Sequence, residues 1–341
     1  MFFPLPLSSP DGNAGSNGFI CGQLTQGSVF LFLMNTIRVA VGRFHPRDIV
    51  ASILLTTQMA INAVLTIGLT YVIILGSIDI SVGSVAAMAG VAAALVCKSL
   101  GDVALPVMIV VQLAVGIVVG ALFGSFNGLM ITKFAVVPMI ATLASQTIGR
   151  GFAYIFSGGT SVSGLTSVYS WLGAARLFKT EAKPTGWVPI ITIFVIILVI
   201  IMHTLLSKTV FGRHVFATGS NKNVAHLSGI NTNKITFLCY MICGTMAGIA
   251  GVLNSSKLQN GQPGACESYE MFAIASTVMG GTSLIGGSGS IARAMIGCAV
   301  VAVINNGMNL LHIDSYWQKI VLGIIILLAV VMDMAQKKQK N

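Results

Sequence analysis

Acidic residues are scarce in this sequence: nine Asp and Glu against nineteen Lys and Arg in 341 residues. Only 8% of the chain is charged, where an ordinary soluble domain carries roughly 25%. A water-facing surface of this size cannot be covered with so few charges, and a lipid-facing one needs none. Several motifs are missing too. No Gly-x-x-x-x-Gly-Lys-Ser/Thr loop occurs, so there is no evident cradle for nucleotide phosphates and no nucleotide cofactor is expected in this chain. There is no HExxH, GxSxG or paired-carboxylate pattern, and the five histidines (His45, His203, His214, His226, His312) are scattered, so no enzyme is predicted. Of the six cysteines, Cys239 and Cys243 are one helical turn apart but lack a His or second Cys pair, which argues against a metal or redox site. Basic residues sit in short loops, with no basic face interleaved with aromatics, so nucleic acid is not an expected partner. Residues 1–37 contain no Lys or Arg, so no basic start of a signal peptide is predicted.

What the chain does contain is apolar length. The apolar fraction is 55% and the mean hydropathy +0.89. Residues 49–78, 80–97, 103–132, 134–149, 151–175, 184–207, 235–256, 271–292, 294–313 and 320–332 carry no formal charge. About 20 such residues span a bilayer as a helix. Backbone groups in lipid must be satisfied within the segment, and no alternating barrel pattern is present. The expectation is an all-α polytopic transmembrane bundle of nine or ten helices, some short or broken. Residues 1–27 read as a loop-like segment, 28–336 as one transmembrane domain with a cytoplasmic loop at 208–233, and 337–341 as a basic tail. The first crossing is placed near 24–42. Lys208, Arg213, Lys222 and Lys234, with no acidic residue among them, put that loop in the cytoplasm, as Lys337, Lys338 and Lys340 do the C-terminus. Loop 157–186 then faces outward, with Trp171 and Trp187 as interfacial anchors.

Two weakly related halves are visible. Gly76 to Gly83 precedes Asn127-Gly128-Leu129, followed by Pro138, while Gly280 to Gly287 precedes Asn306-Gly307-Met308, followed by Trp317. Such repeats are common in transporters, with the solute path at their interface. Gly116, Gly120, Gly124 and Gly128 recur every four residues, and Gly244 and Gly248 repeat the spacing. These stripes predict close helix packing, which in lipid relies on small residues.

Asp79 interrupts two apolar runs inside a Gly-Ser-rich break. An acidic group near the bilayer centre costs about 2.5–3.5 kcal/mol on insertion scales and is usually kept for a task. It can cap the helix that follows, contact the solute, or do both. Ser81, Asn127 and Asn306 are the other candidate pathway residues. In the cytoplasmic loop, Asn221 can cap a short helix whose apolar side includes Val224, Ala225 and Leu227 and which Gly229 ends. That apolar face is small for lipid alone, so docking on a partner is the expected use.

From about residue 45 to 336 the chain resembles the permeases of ribose, galactose, arabinose and xylose ABC importers. The resemblance rests on Leu75-Gly76-Ser77-Ile78-Asp79-Ile80-Ser81-Val82-Gly83-Ser84, on Ala217–Asn231, on Gly280-Gly281-Thr282-Ser283 and on Asn305-Asn306-Gly307-Met308-Asn309-Leu310-Leu311. It implies a permease subunit of the bacterial inner membrane, with ATP and Mg on a separate ATPase subunit. It also implies an extracytoplasmic solute-binding protein and a second permease copy or paralogue. Gly219, Asn221, Ala225, Leu227, Ser228, Gly229 and Ile230 would then belong to the loop contacting the ATPase. Two departures stand out: Gly76-Ser77 replaces the family's usual glycine pair, and the N-terminal segment lacks its basic lead-in. An ion-coupled secondary transporter, working through acidic residues such as Asp79, is the alternative reading.

Overall fold

A computed structural model describes residues 46–177 and 188–338. The expected first crossing near 24–42, the N-terminal segment, Trp187 and residues 339–341 lie outside the described residues. From Ile53 onward the chain forms one compact unit, and residues 46–52 are the first turns of its leading helix.

The described helices are α1 (Pro46–Ile74), α2 (Val82–Leu100), α3 (Leu105–Thr132), α4 (Pro138–Ser157), α5 (Trp171–Ala174), α6 (Ile190–Lys208), α7 (Val210–Ser220), α8 (Lys222–Leu227), α9 (Thr232–Leu258), α10 (Tyr269–Met279), α11 (Ile291–Leu310) and α12 (Ser315–Lys338). Two-residue strands β1 (Arg176–Leu177) and β2 (Val188–Pro189) pair antiparallel between α5 and α6. By length and composition α2, α3, α6, α9 and α11 can each cross a membrane, and shorter apolar stretches fill Met59–Ile74 of α1 and Tyr316–Leu328 of α12. The protein is an all-α, multi-pass membrane protein. Local chemistry sets its boundaries. Proline in the first turn opens α3 and α4, where its missing N–H costs nothing, and left-handed Gly158 (φ 66°) closes α4.

α9 is the axis of the bundle. Its glycines take the backbone of α3 at contact distance: a Cβ on Gly244 would strike the Gly120 carbonyl, and one on Gly248 the Gly116 carbonyl. Reciprocally, Gly120 and Gly124 lie against the backbone at Gly244 and at Tyr240–Met241, and Gly128 lies against Phe237. The other flank of α9 meets α2, where Gly251 faces the Ala86 carbonyl. With no apolar driving force between helices in lipid, this approach of backbones supplies the packing. Outward-facing Val110, Ile155, Ile200 and Leu327 on α3, α4, α6 and α12 would be a liability in water and suit lipid.

Two differences from the charge-run reading have physical causes. Arg150, taken as a boundary between two runs, lies inside α4; its guanidinium is satisfied by protein carbonyls, so it need not reach water. Residues 271–292 carry no charge yet are not one helix: α10 ends at Met279 and the chain is irregular until α11. Gly286 and Gly287 there adopt positive φ (97° and 76°), which breaks a helix without charge. The repeats also align only partly. Asn127 and Asn306 both stand near the ends of helices, α3 and α11, that lead into α4 and α12. The Gly-Ser stretch at 76–81 precedes α2, one helix earlier than Asn127, while 280–287 directly precedes the helix of Asn306.

Candidate solute path and coupling elements

Two helices begin inside the bundle rather than at its ends, and they begin against each other. α2 starts after the irregular residues 75–81, and α10 starts after residues 259–268. Gly83, in the first turn of α2, lies so near Cys266 and Glu270 at the start of α10 that a Cβ would meet the Cys266 carbonyl oxygen and Glu270 Oε2. Such half-helix starts, with free N–H groups and the positive end of the dipole, form the usual internal polar sites of transporters.

At the first start, Asp79 is 1% exposed. Its Oδ1 accepts from the Ser81 backbone N–H (2.9 Å) and from the Ser81 hydroxyl (2.6 Å). Asn127 Nδ2 of α3 donates to Ser81 Oγ at 3.0 Å, and Ser84 Oγ donates to the Ser81 carbonyl at 2.8 Å. Asp79, Ser81 and Asn127 therefore form one chain of hydrogen bonds. Cys243 of α9 stands beside the carboxyl group, and Asp79 Oδ2 and Asn127 Oδ1 are buried without hydrogen-bond partners. The carboxylate holds the turn that feeds α2 and keeps one oxygen unused. Asn306 is not part of this cluster; it sits half-buried on α11.

At the second start, Glu270 is buried and its Oε2 is unpartnered. Arg150 of α4 donates through Nη1 to the carbonyls of Pro263 (2.8 Å) and Ala265 (2.7 Å), pinning the loop that enters α10. Sequence reading missed Arg150, Glu270 and Gln112, the last buried in α3 with neither amide atom bonded. The available signal for Gln112 was a side-chain amide inside a charge-free run, as it was for Asn127.

At one end of the bundle the cytoplasmic-loop candidates fold into α7 and α8. Thr209 accepts from the Gly212 N–H at 3.3 Å to start α7. Asn221 Oδ1 accepts from the N–H groups of Asn223 (3.0 Å) and Val224 (3.1 Å) to start α8. Gly229 (φ 83°) then reverses the chain, with the Ile230 N–H bonded to the Ala225 carbonyl at 3.1 Å. The apolar residues of α8 do not share one face. Ala225 is 4% exposed and packs inward, whereas Val224 and Leu227 are 57% and 86% exposed. Ser228 is exposed as well. Gly219 is half-buried and closely packed: a Cβ there would strike the Ile74 carbonyl and approach the Gly287 N–H, while one on Gly76 (φ 74°) would strike the Ile285 carbonyl. The Gly287 N–H donates to the Ile74 carbonyl at 2.8 Å. Three distant segments, 74–76, 219–220 and 285–287, thus meet backbone to backbone. Ser77, the departure from the glycine pair, does not need left-handed φ and so tolerates a side chain.

Among the described residues no three His, Cys, Asp or Glu side chains gather as a metal site requires. Cys97, Cys239, Cys243, Cys266 and Cys298 are buried and free.

Residues 52–330 match the family described as "Branched-chain amino acid transport system / permease component". The ribose import permease of Bacillus subtilis (strain 168) is 38% identical over 82% of this chain and 83% of its own length. The ribose import permease of Escherichia coli (strain K12) is 37% identical over 83% and 84%. The D-allose transport system permease of the same strain is 33% identical over 81% of each chain. No solved structure matches the chain.

Proposed function

The chain belongs to the branched-chain amino acid transport system / permease component family, and on that premise we propose that it is the membrane-spanning subunit of an ABC importer for a sugar-like solute. The solute class follows relatives named for ribose and D-allose. ATP and Mg sit on a separate ATPase subunit, an extracytoplasmic binding protein delivers the cargo, and a second permease copy or paralogue completes the pathway. The bilayer is the bacterial inner membrane, with the α8 end and the C-terminus in the cytoplasm, where Lys208, Arg213, Lys222 and Lys234 cluster.

One observation carries this reading: a capped two-turn helix presents Leu227 to the outside while its lead-in, Gly219–Ser220, is clamped onto residues 74–76, before α2, and 285–287, before α11. A short helix held this way cannot shift without moving residues 74–76 and 285–287, because no side chains intervene to absorb the motion. ATP-driven closure of the ATPase pair would press on α8 and so reach the start of α2, where Asp79, Ser81 and Asn127 hold the break.

The test is uptake by the chain reconstituted with its ATPase and binding protein. Leu227→Glu should lower ATP-dependent uptake about tenfold or more, the loss expected when an interface anchor is removed, and leave membrane insertion unchanged. Wild-type uptake in that variant would remove α8 from the docking role. Solute accumulation by the chain alone under an ion gradient would favour the secondary-transporter reading instead.

A further inference from the structure

Between the first turn of α10, the end of α11 and the start of α12 lies a cavity of about 440 Å³. Small-ligand sites span roughly 300–1,000 Å³. Tyr269 and Phe272 line it as an edge-to-face pair with ring centroids 6.2 Å apart. Asn305 of α11 lines it with Oδ1 buried and without a hydrogen-bond partner. Gln318 of α12 is fixed there by Nε2 bonds to Asn309 Oδ1 (2.8 Å) and the Ile313 carbonyl (3.0 Å). Glu267 and Lys319 complete the polar lining, and Leu322, packed with Ala275 and Val301, closes it on the apolar side.

The backbone entering this cavity is unusual. Cys266 (φ 55°) and Ser268 (φ 66°) are both left-handed without being glycine. Such conformations cost of order 1–3 kcal/mol each, persist only where the surroundings hold them, and gather at ligand sites. Arg150 supplies the hold, through the Pro263 and Ala265 carbonyls.

The chemistry of the lining selects the ligand. An aromatic pair covers the C–H face of a sugar ring, and amides both donate to and accept from its hydroxyls. One carboxylate and one ammonium leave the lining without net charge, which suits a neutral solute better than an anion or a cation. We propose that this cavity receives a neutral monosaccharide on its way through the bilayer, with Tyr269 and Phe272 as the stacking surface and Asn305 as a hydrogen-bonding contact. This rests on the importer reading and adds a location to it. Asn305, not the neighbouring Asn306, then carries the contact.

Gly323 lines the same cavity, and a Cβ there meets nothing within 4 Å. Gly323→Cys in the complete complex should react with a small thiol reagent against a low background, because the described native cysteines are buried. D-ribose at ten times its half-saturating concentration should slow that reaction about tenfold by mass action. Asn305→Leu should raise the half-saturating D-ribose for uptake about five- to tenfold, the value of one lost hydrogen bond, while the chain still takes up D-ribose at saturation and still assembles with its ATPase. A misfolded chain would lose both. Equal modification with and without D-ribose, protection by L-leucine alone, or a cysteine closed to the reagent in the complex would each overturn the proposal. A wild-type complex that takes up no monosaccharide would fail the importer reading itself; one that does, without protection at Gly323→Cys, fails only this site.

Discussion

The two internal helix starts share a design but not a temperament. Before α2, the one left-handed residue between helices is Gly76, and Asp79, Ser81 and Asn127 are joined by hydrogen bonds in a closed interior that leaves Asp79 Oδ2 and Asn127 Oδ1 unpartnered. Before α10, the left-handed residues are Gln259, Cys266 and Ser268, the loop is held from outside by Arg150, and a cavity opens beside it. The first is a relaxed joint tied to the docking helix by glycine contacts. The second stores strain beside an opening. On the proposed reading, transmission and solute contact fall to different breaks, which touch at Gly83.

Five substitutions at four positions would break or sharpen this contrast. The largest effect is expected at the point of contact. Gly83→Val drives methyl groups into the Cys266 carbonyl and the Glu270 carboxyl. Overpacking of a rigid core costs about 1–3 kcal/mol or more, so the yield of monodisperse protein in detergent should collapse. Normal yield would show that the two starts are not locked together. Smaller, and opposite in sign, are changes to the left-handed positions. Ser268→Gly should stabilise the chain by up to about 1 kcal/mol, the left-handed strain relieved less the extra chain entropy of glycine, and Gly76→Ala should destabilise it by more than about 0.4–1 kcal/mol, read as shifts in the thermal midpoint. Equal effects would erase the difference in strain. The smallest effect is expected for Asp79→Asn. It keeps the oxygen that accepts from Ser81, so uptake should stay within about twofold, whereas Asp79→Ala should cost about 0.5–2 kcal/mol of stability as a lost turn cap. Abolished uptake in Asp79→Asn with intact folding would mean that the charge itself is used.

Much of the scaffold was legible because lipid imposes a simple rule: long charge-free segments must be helices. The runs 80–97, 103–132, 184–207 and 235–256 correspond closely to α2, α3, α6 and α9. The rule fails where charge and helix end part company. Arg150 continues a helix because two carbonyls replace water around its guanidinium, and Gly280–Gly287 breaks one without any charge. The glycine spacings on α3 and α9 were readable one helix at a time. That Gly76, Gly219 and Gly286–Gly287 meet was not, since about 70 to 210 residues separate them and backbone-to-backbone contact leaves no complementary side chains to notice. The cavity was hidden for a related reason. Its wall takes Asn305 but not Asn306, and helical phase at that resolution cannot be read from sequence.

Arg150 grips the loop before α10 only by main-chain oxygens, those of Pro263 and Ala265. Every residue type offers the same oxygen, so the side chains along 259–268 can be exchanged without loosening the anchor. Glu267 and Ser268, the two residues of that loop that line the cavity, can therefore vary while its path stays fixed.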